Sequence, residues 1–191
     1  FTVLFLYLSL VLLLRKLPAF TEITTPKEAV GYFGSAAVGA LAFCFSDSFW
    51  FNAVEAEVYA MATCILAALF WMALRWENEM NTPRGDRWLL LIAFVIGLSF
   101  GVHFMGLLTI PAIGMLYFFK NTQKITLKNF VVANVVSVAI LLFIFKLLLP
   151  STLAFFSKME VFFVNQVNLP FNSGTIITGV LFVLFFLISI I

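Results

Sequence analysis

Long apolar runs alternate with short polar segments along the whole chain. A helix needs about 20 apolar residues to cross about 30 Å of hydrocarbon, so the longer runs predict membrane-spanning helices, although several runs are short. We find no sequence repeat, low-complexity tract or soluble-domain linker, and residues 1–191 are predicted to form one all-α membrane domain, a polytopic helix bundle. About seven spans are predicted: 1–14, 27–45, 54–74, 88–104, 106–119, 129–149 and 174–191.

Composition supports an integral membrane protein. Of 191 residues, 63% are hydrophobic and 10% are charged, and 25 are phenylalanine, more than a soluble domain of this size could bury. The chain starts at Phe1 without a methionine and ends in an apolar run, so we expect it to be a fragment of a longer polypeptide. Cys44 and Cys64 lie in apolar runs without the spacing of metal ligands, so neither a disulfide framework nor a metal site is predicted.

Capping patterns indicate three helix starts. The segment 25–28, Thr-Pro-Lys-Glu, supplies an N-cap, a proline at the first helical position and a glutamate at the third. The segment 52–55, which starts with asparagine and ends with glutamate, repeats the spacing of cap and glutamate and predicts a second start. Asp86 is expected to cap a helix that begins at residues 87–88.

The basic residues set the orientation of the predicted bundle, because Lys and Arg in short loops are retained on the cytoplasmic side. Nine of the 11 basic residues flank the first, third and fifth loops. The loops around 46–53, 104–106 and 150–173 are therefore predicted to face outward. The nine residues are Arg15, Lys16, Lys27, Arg75, Arg84, Arg87, Lys120, Lys124 and Lys128.

The segment 88–119 is too short for two full crossings. Its 32 residues give about 48 Å of helix, against about 60 Å required. The turn 103–106 should therefore lie below the outer membrane surface, where irregular backbone is tolerated only beside protein or water. We expect an outward-facing cavity there, with Gly97 and Gly101 offering a small-residue face for close helix packing.

Ionisable side chains gather on the predicted outward face. Glu55 and Glu57 are predicted to lie in the first turn of a helix at the rim of the cavity, and Asp47 in the loop before it. His103, the only histidine, ends the fourth span. Glu55 is favoured over its neighbour to face the cavity, because Tyr59 lies one turn further along the same helix face.

Each of these residues also has a structural interpretation. Acidic residues in a first helical turn are favoured by the helix dipole and as capping groups. His103 could instead bond a backbone carbonyl at the interface, and Asp47 could be a solvated loop residue. Lys146 either snorkels to the interface or binds a lipid phosphate.

The segment 153–164 is apolar with a narrow polar face, which predicts a helix lying along the outer interface. Four side-chain amides follow it and suit sugar or peptide hydroxyls. They belong to Asn165, Gln166, Asn168 and Asn172.

The candidate chemistry is acid–base catalysis at a membrane-edge cavity. A carboxylate could serve as general base toward an acceptor hydroxyl, while a histidine or a cation steadies a departing phosphate. The sequence has no glycine-rich phosphate loop, no zinc-type histidine pair and no Gly-x-Ser-x-Gly motif. The residues alone therefore predict an outward polar site in a membrane bundle.

Three segments carry a resemblance to a known family: 46–60 (SDSFWFNAVEAEVYA), 86–90 (DRWLL) and 97–103 (GLSFGVH). In them the chain resembles a family of bacterial membrane proteins, frequent in Bacteroidetes and long labelled as of unknown function. That family is related to protein O-mannosyltransferases and to the wider GT-C glycosyltransferase superfamily. The resemblance covers residues 30–115, and beyond them only the helix pattern agrees.

The resemblance implies a multi-span enzyme of the bacterial inner membrane. Such an enzyme takes a sugar from a polyprenyl-phosphate carrier, a membrane lipid, and adds it to a protein or glycan acceptor on the periplasmic side. It implies no resident cofactor and no nucleic-acid partner, and it leaves the need for a divalent metal open. The sugar itself is not specified.

The resemblance also assigns the site residues. The family's Glu-x-Glu segment falls on Glu55 and Glu57, which with Asp47 are the expected catalytic acids. Superfamily members place a catalytic acid in the first outer loop, so we expect the main acid to lie upstream of Phe1 and residues 1–191 alone to be inactive. The expected substrate-binding residues are His103, Tyr59, Lys146 and Asn52.

Two other classes of function remain open. Charged groups inside a bundle also mark the routes of transporters and channels, although the inner halves of these spans carry almost no polar residues. A non-catalytic subunit of a larger membrane assembly is the second alternative.

Overall fold

The computed structural model describes residues 1–20, 22–55 and 57–190. These residues form helices and the segments that connect them, with no strand among them. The predicted all-α class is confirmed. Short 3-10 segments occupy Pro18–Phe20 and Phe104–Leu108, and a π-helical turn occupies Ile144–Leu148. The α-helices are α1 (Thr2–Leu14), α2 (Pro26–Cys44), α3 (Asp47–Val54), α4 (Tyr59–Glu79), α5 (Gly85–Ser99), α6 (Thr109–Asn121), α7 (Leu127–Phe143), α8 (Leu149–Asn165) and α9 (Ser173–Ile190).

Three helical stretches of the described chain are long and apolar enough to cross a membrane: Tyr59–Glu79, Phe104–Asn121 and Leu127–Asn165. A fourth is obtained if α2 and α3, which meet at 60°, count as one bent span. The prediction of about seven spans was therefore too high. α1, for example, has 13 residues and a length of about 20 Å, less than the hydrocarbon core of about 30 Å.

The longest apolar stretch joins two elements that the sequence separates. α7, the π-helical turn and α8 follow one another over 39 residues, Leu127–Asn165. Neither the predicted end at residue 149 nor a separate interfacial helix at 153–164 is found. Pro150 lies in the first turn of α8, directly after the π-helical turn, where its missing N–H is tolerated and the chain continues as helix.

The first predicted helix start is confirmed. Thr25 Oγ1 accepts a hydrogen bond from Glu28 N at 3.2 Å, and the Glu28 carboxylate accepts one from Thr25 N at 3.0 Å. The same carboxylate accepts from Thr24 N at 2.9 Å. This reciprocal capping box places Pro26 at the first position of α2.

The second predicted start is wrong. Ser46 caps α3 instead, because its Oγ accepts from Phe49 N at 3.4 Å, and the helix ends at Val54. Asn52 lies inside α3, where its amide donates to Ser48 O at 2.8 Å rather than capping. The capping serine six residues upstream therefore determines the helix.

The third predicted start is shifted. α5 begins at Gly85, with Asp86 in its first turn, and no side chain caps it. Asp86 therefore contributes a negative charge near the helix N-terminus instead of a capping hydrogen bond.

The described chain divides into two compact units, Phe1–Val138 (unit 1) and Ala139–Ile191 (unit 2). In unit 1, α4 is the central helix and packs against α1, α5, α6 and the 3-10 segment 104–108. Leu69 of α4 is completely buried and belongs to a core cluster with Ile92 of α5. Trp76 stacks on Tyr117 of α6 with ring centroids 6.5 Å apart.

Polar contacts join several helix ends at one end of unit 1. An ion pair between Lys16 and Glu77 joins the segment after α1 to the end of α4. Trp88 Nε1 donates to Glu79 Oε2 at 3.2 Å and joins the start of α5 to the same place. Asn121 at the end of α6 is also there, since its Nδ2 donates to the sulfur of Met80 at 3.3 Å.

The nine basic residues grouped by the sequence lie in or beside the helix ends at this end of unit 1, which we call the basic end. Their charge is only partly balanced. Glu77 and Glu79 are used in ion pairs with Lys16 and Arg75, the second with an N–O distance of 3.2 Å. Most of the remaining cations there, such as Arg84 and Lys124, are exposed.

Two buried serine hydroxyls within the helices bond to their own helix backbone. Ser9 Oγ donates to Phe5 O at 2.8 Å, one turn earlier in α1. Ser137 Oγ donates to Ala133 O at 2.8 Å in the same way in α7. Their polar atoms are therefore satisfied without a partner helix, as an apolar environment requires.

Unit 2 contains a hairpin of α8 and α9. Glu160 of α8 caps the start of α9, because its carboxylate accepts from Asn172 N at 2.5 Å and from Thr175 N at 2.8 Å. Asn168 and Asn172 adopt left-handed backbone conformations, with φ of 59° and 70°, which asparagine tolerates better than most residues. The turn is thus fixed by its sequence and by Glu160.

The hairpin depends on a close approach at Gly174. A Cβ there would lie 2.5 Å from Glu160 Cα and 2.6 Å from Met159 O, whereas no described atom lies within 4 Å of a Cβ at Gly179. We expect Gly174→Ala to lower the free energy of unfolding by about 1–3 kcal/mol, because backbone atoms must separate. Gly179→Ala, in the same helix, is the control and should not destabilise. Equal midpoints for the two variants in detergent unfolding followed by circular dichroism would contradict the close approach.

Candidate functional site

A cavity of about 310 Å³ lies in unit 1 at the end opposite the basic end. The first residues of α1 and α4, the last of α2 and one side of α3 form its wall. Ser48, Asn52 and Thr63 give this wall hydroxyl and amide groups and no charge. The complete lining is Thr2, Phe43, Ser48, Phe49, Asn52, Ala53, Ala60 and Thr63.

An apolar cavity of about 480 Å³ adjoins the first. The two share Thr2, Phe43 and Thr63, so the partly polar cavity adjoins an apolar one. The second cavity continues between α1, α4 and α6 along side chains such as Leu6 and Phe70. Together the two cavities have room for a molecule with a polar group and a hydrocarbon chain.

Tyr59 and His103 form a ring contact at the same end of unit 1. Their ring centroids are 5.5 Å apart and the planes are inclined at 51°. Tyr59 is the first residue of α4, and Thr63, one turn later, lines both cavities and donates from Oγ1 to Tyr59 O at 2.9 Å. The ring pair therefore lies within one helical turn of the cavities, and we call this region the cavity end.

The hydrogen bonds of His103 define its proton arrangement. Nδ1 accepts from Met105 N at 3.2 Å, so a neutral ring carries its proton on Nε2 and can donate from it. The backbone N–H of His103 donates to Ser99 O at 2.7 Å. His103 is partly exposed, which leaves its ring within reach of a ligand.

The three predicted catalytic acids are close in sequence to residues of the cavity wall but do not belong to it. Asp47 is in the first turn of α3, next to the lining residue Ser48. Glu55 directly follows α3, and Glu57 lies in the link to α4. All three are exposed, and none belongs to the lining formed by the described residues. Their assignment as catalytic groups stays a prediction.

The predicted alignment of Glu55 with Tyr59 on one helix face is wrong. Glu55 has an extended backbone, with φ of −70° and ψ of 139°, and α4 begins only at Tyr59. Glu55 and Tyr59 therefore do not belong to one helix, and helical spacing does not place them on a common face. Tyr59 packs against His103 instead.

Lys146 belongs to unit 2, in the π-helical turn. Its Nζ lies 5.7 Å from the ring centroid of Phe145, and its side chain is exposed. Its predicted role in binding a lipid phosphate stays a prediction.

Glycines pack closely in unit 1, but not those predicted. No described atom lies within 4 Å of a Cβ placed on Gly97, and Gly101 has only an ordinary contact at 3.5 Å. Close approaches occur instead at Gly106 and Gly114, where a Cβ would lie 2.3 Å and 2.2 Å from serine oxygens, and at Gly85, where it would lie 2.7 Å from Met80 O. Gly97 of α5 and Gly101, two residues after its end, are exposed, so their spacing gave a misleading signal.

Sequence reasoning also missed Ser48 and Thr63 as wall residues. Both are hydroxyl residues within or beside otherwise apolar runs, and this position could have indicated that they face a cavity. Elsewhere in the part of the chain that the structure describes, no three His, Cys, Asp or Glu side chains come close enough to hold a metal ion.

The fold and the cavity end together define a class of protein: an all-helical integral membrane protein with a partly polar cavity that adjoins an apolar one. Residues 1–126 match the family model described as protein O-mannosyl-transferase TMEM260 N-terminal domain, and the chain belongs to this family. The matched region includes α1–α6 and every candidate residue of unit 1. Neither a curated protein nor a solved structure matches the chain.

The two ends of unit 1 should be reachable from opposite sides of a membrane. In a chain with Cys44 and Cys64 replaced by alanine, we would introduce Ser48→Cys at the cavity end and Lys124→Cys at the basic end. Both positions are exposed. We expect a membrane-impermeant maleimide added to sealed vesicles to label only one of them, and to label the other after permeabilisation. Labelling of both from the same side would contradict the arrangement.

Proposed function

We propose that the protein is a membrane glycosyltransferase of the protein O-mannosyltransferase type. It transfers a sugar from a polyprenyl-phosphate carrier to a hydroxyl group of an acceptor at the cavity end. Family membership over residues 1–126 is the observation that carries this proposal. The pairing of a partly polar cavity, which has hydroxyl and amide groups in its wall, with an apolar one supports a donor that has a sugar head and a hydrocarbon tail.

In the proposed reaction, the bond between the anomeric carbon of the sugar and the phosphate oxygen breaks. A new bond forms between that carbon and the acceptor oxygen, and the lipid phosphate departs with the electron pair. The acceptor proton passes to a carboxylate of Asp47, Glu55 or Glu57, the general base. Each acid lies within three residues of a lining residue in the sequence (Ser48, Ala53 or Ala60), so the reaction needs only one of them to approach the cavity opening.

The neighbouring residues bind the substrate. The Asn52 amide faces the cavity and can bond sugar hydroxyls, since it offers both a donor and an acceptor. His103 donates from Nε2 to an oxygen of the departing phosphate and so stabilises the developing charge. Tyr59 supports the histidine ring by the contact already described.

We place the protein in a bacterial inner membrane, within the GT-C superfamily, with the cavity end toward the periplasm. The exposed cations of the basic end then face the cytoplasm, in agreement with the retention of Lys and Arg on that side. In the cysteine experiment, this orientation requires Ser48→Cys to react in intact cells after outer-membrane permeabilisation, while Lys124→Cys stays protected.

The test is sugar transfer from a radiolabelled mannosyl polyprenyl phosphate by membranes that contain the full-length protein. Wild type is compared with Asp47→Asn, Glu55→Gln, Glu57→Gln and His103→Ala at matched expression. We expect transfer by wild type and a loss of at least about 100-fold in one carboxylate variant, the scale of a lost general base. Glu22→Gln, which neutralises an exposed glutamate between α1 and α2, is the control and should keep full activity.

Full transfer by every variant would make the acids and His103 dispensable. Absence of transfer by wild type would reject the proposal and favour a transporter or a non-catalytic subunit of a membrane assembly. Loss in the Glu22→Gln control would show that the assay reports a general effect of charge rather than a catalytic base.

A further inference from the structure

The turn that carries His103 is closed by a very close contact between Ser99 and Gly106. A Cβ placed on Gly106 would lie 2.3 Å from Ser99 Oγ and 2.8 Å from Ser99 Cβ. Both residues are buried, and Ser99 retains 1% of its exposure. While a serine occupies position 99, only glycine fits at position 106.

Ser99 also holds the start of the turn. Its carbonyl oxygen accepts from Val102 N at 3.0 Å and from His103 N at 2.7 Å. Its own Oγ donates to Ile96 O at 2.6 Å, which fixes the side chain against α5. One buried residue therefore anchors the backbone of His103 on one side and contacts Gly106 on the other.

The contact determines where the backbone beyond His103 runs. Met105, whose N–H bonds His103 Nδ1, directly precedes Gly106. If a larger residue at position 106 pushed the segment 104–108 away from α5, the Met105 N–H would move with it. The imidazole would then lose the bond that holds Nδ1 and its place against the Tyr59 ring.

We infer that Ser99 and Gly106 are positioning residues for His103: their contact keeps its ring against Tyr59, with Nδ1 on the Met105 N–H and Nε2 left for a ligand. Among the described residues, the hydrogen bond of the ring is the one at Nδ1. Only the identity of that ligand, a phosphate oxygen of the sugar donor, rests on the proposed function.

A second contact of the same kind provides a matched control. A Cβ on Gly114 of α6 would lie 2.2 Å from Ser137 Oγ and 3.1 Å from Ser137 Cβ. This pair joins α6 to α7 and includes no part of the turn 100–105. Substitutions at the two glycines therefore introduce the same methyl group against the same type of side chain, but only one of them bears on His103.

The experiment observes the histidine ring directly. His103 is the only histidine of the 191-residue chain, so selective labelling gives one set of imidazole signals, provided that purification uses a tag without histidine. With labelled histidine and tyrosine in lipid nanodiscs, a nuclear Overhauser cross-peak should join the His103 ring to a tyrosine ring. Tyr59→Phe should remove the tyrosine signal of that cross-peak and so assign it.

We expect Gly106→Ala to abolish the ring cross-peak and Ser99→Gly in the same chain to restore it, because the added methyl group takes the space that the serine side chain leaves. Gly114→Ala should keep the cross-peak even if its thermal midpoint falls, and adding Ser137→Gly should recover that midpoint.

If Gly106→Ala does not fold, the double variant Ser99→Gly with Gly106→Ala decides: a folded chain without the cross-peak overturns the inference. A cross-peak that persists in folded Gly106→Ala, or that Gly114→Ala also abolishes, overturns it as well.

Sugar transfer by the full-length protein with the same substitutions separates this inference from the proposed function. Gly106→Ala should lower kcat by about 10- to 100-fold, the effect of a misplaced group, and the double variant should regain it. If the ring cross-peak follows the expected order while wild type transfers no sugar, the positioning role stands and the proposed function fails. If wild type transfers sugar while the cross-peak ignores the substitutions, the proposed function stands and the positioning role fails.

Discussion

The packing of α4 against α1, α5 and α6 is the interaction on which the rest of unit 1 depends. Lipid tails are as apolar as leucine, so in a membrane this association comes from close packing and specific polar contacts rather than from the hydrophobic effect. Leu69, which is completely buried, marks the centre of α4. Ion pairs and the Trp88–Glu79 hydrogen bond fix the far end of the same helix.

The cavity end depends on that helix in two ways. The first turn of α4 supplies Ala60 and Thr63 to the cavity wall and Tyr59 to the ring pair with His103. The core of α4 also contacts the turn, since Leu69 Cδ1 would lie 3.3 Å from a Cβ on Gly106. The geometry of the polar site is therefore set by the apolar packing one to three turns deeper in the bundle.

The sequence predicted those features that local chemistry decides. The helical class follows from composition, the start of α2 from its capping box at Thr25, and the grouping of basic residues from their loops. It failed where tertiary packing decides. α1 and α5 are too short to span a membrane alone, but their apolar sequences gave no sign of this. The extended backbone at Glu55 separates α3 from α4. Gly106 was missed because its role depends on Ser99, a partner across a turn.

The self-bonded hydroxyls bear on how the chain enters the bilayer during synthesis. Because the Ser9 and Ser137 side chains bond their own helix backbone, neither carries an unsatisfied group that must wait for a neighbour. Each of these two hydroxyl groups is thus satisfied as soon as its own helix has formed. The Tyr32 hydroxyl of α2 differs, since it donates to Val11 O of α1 and is satisfied only after these two helices have packed.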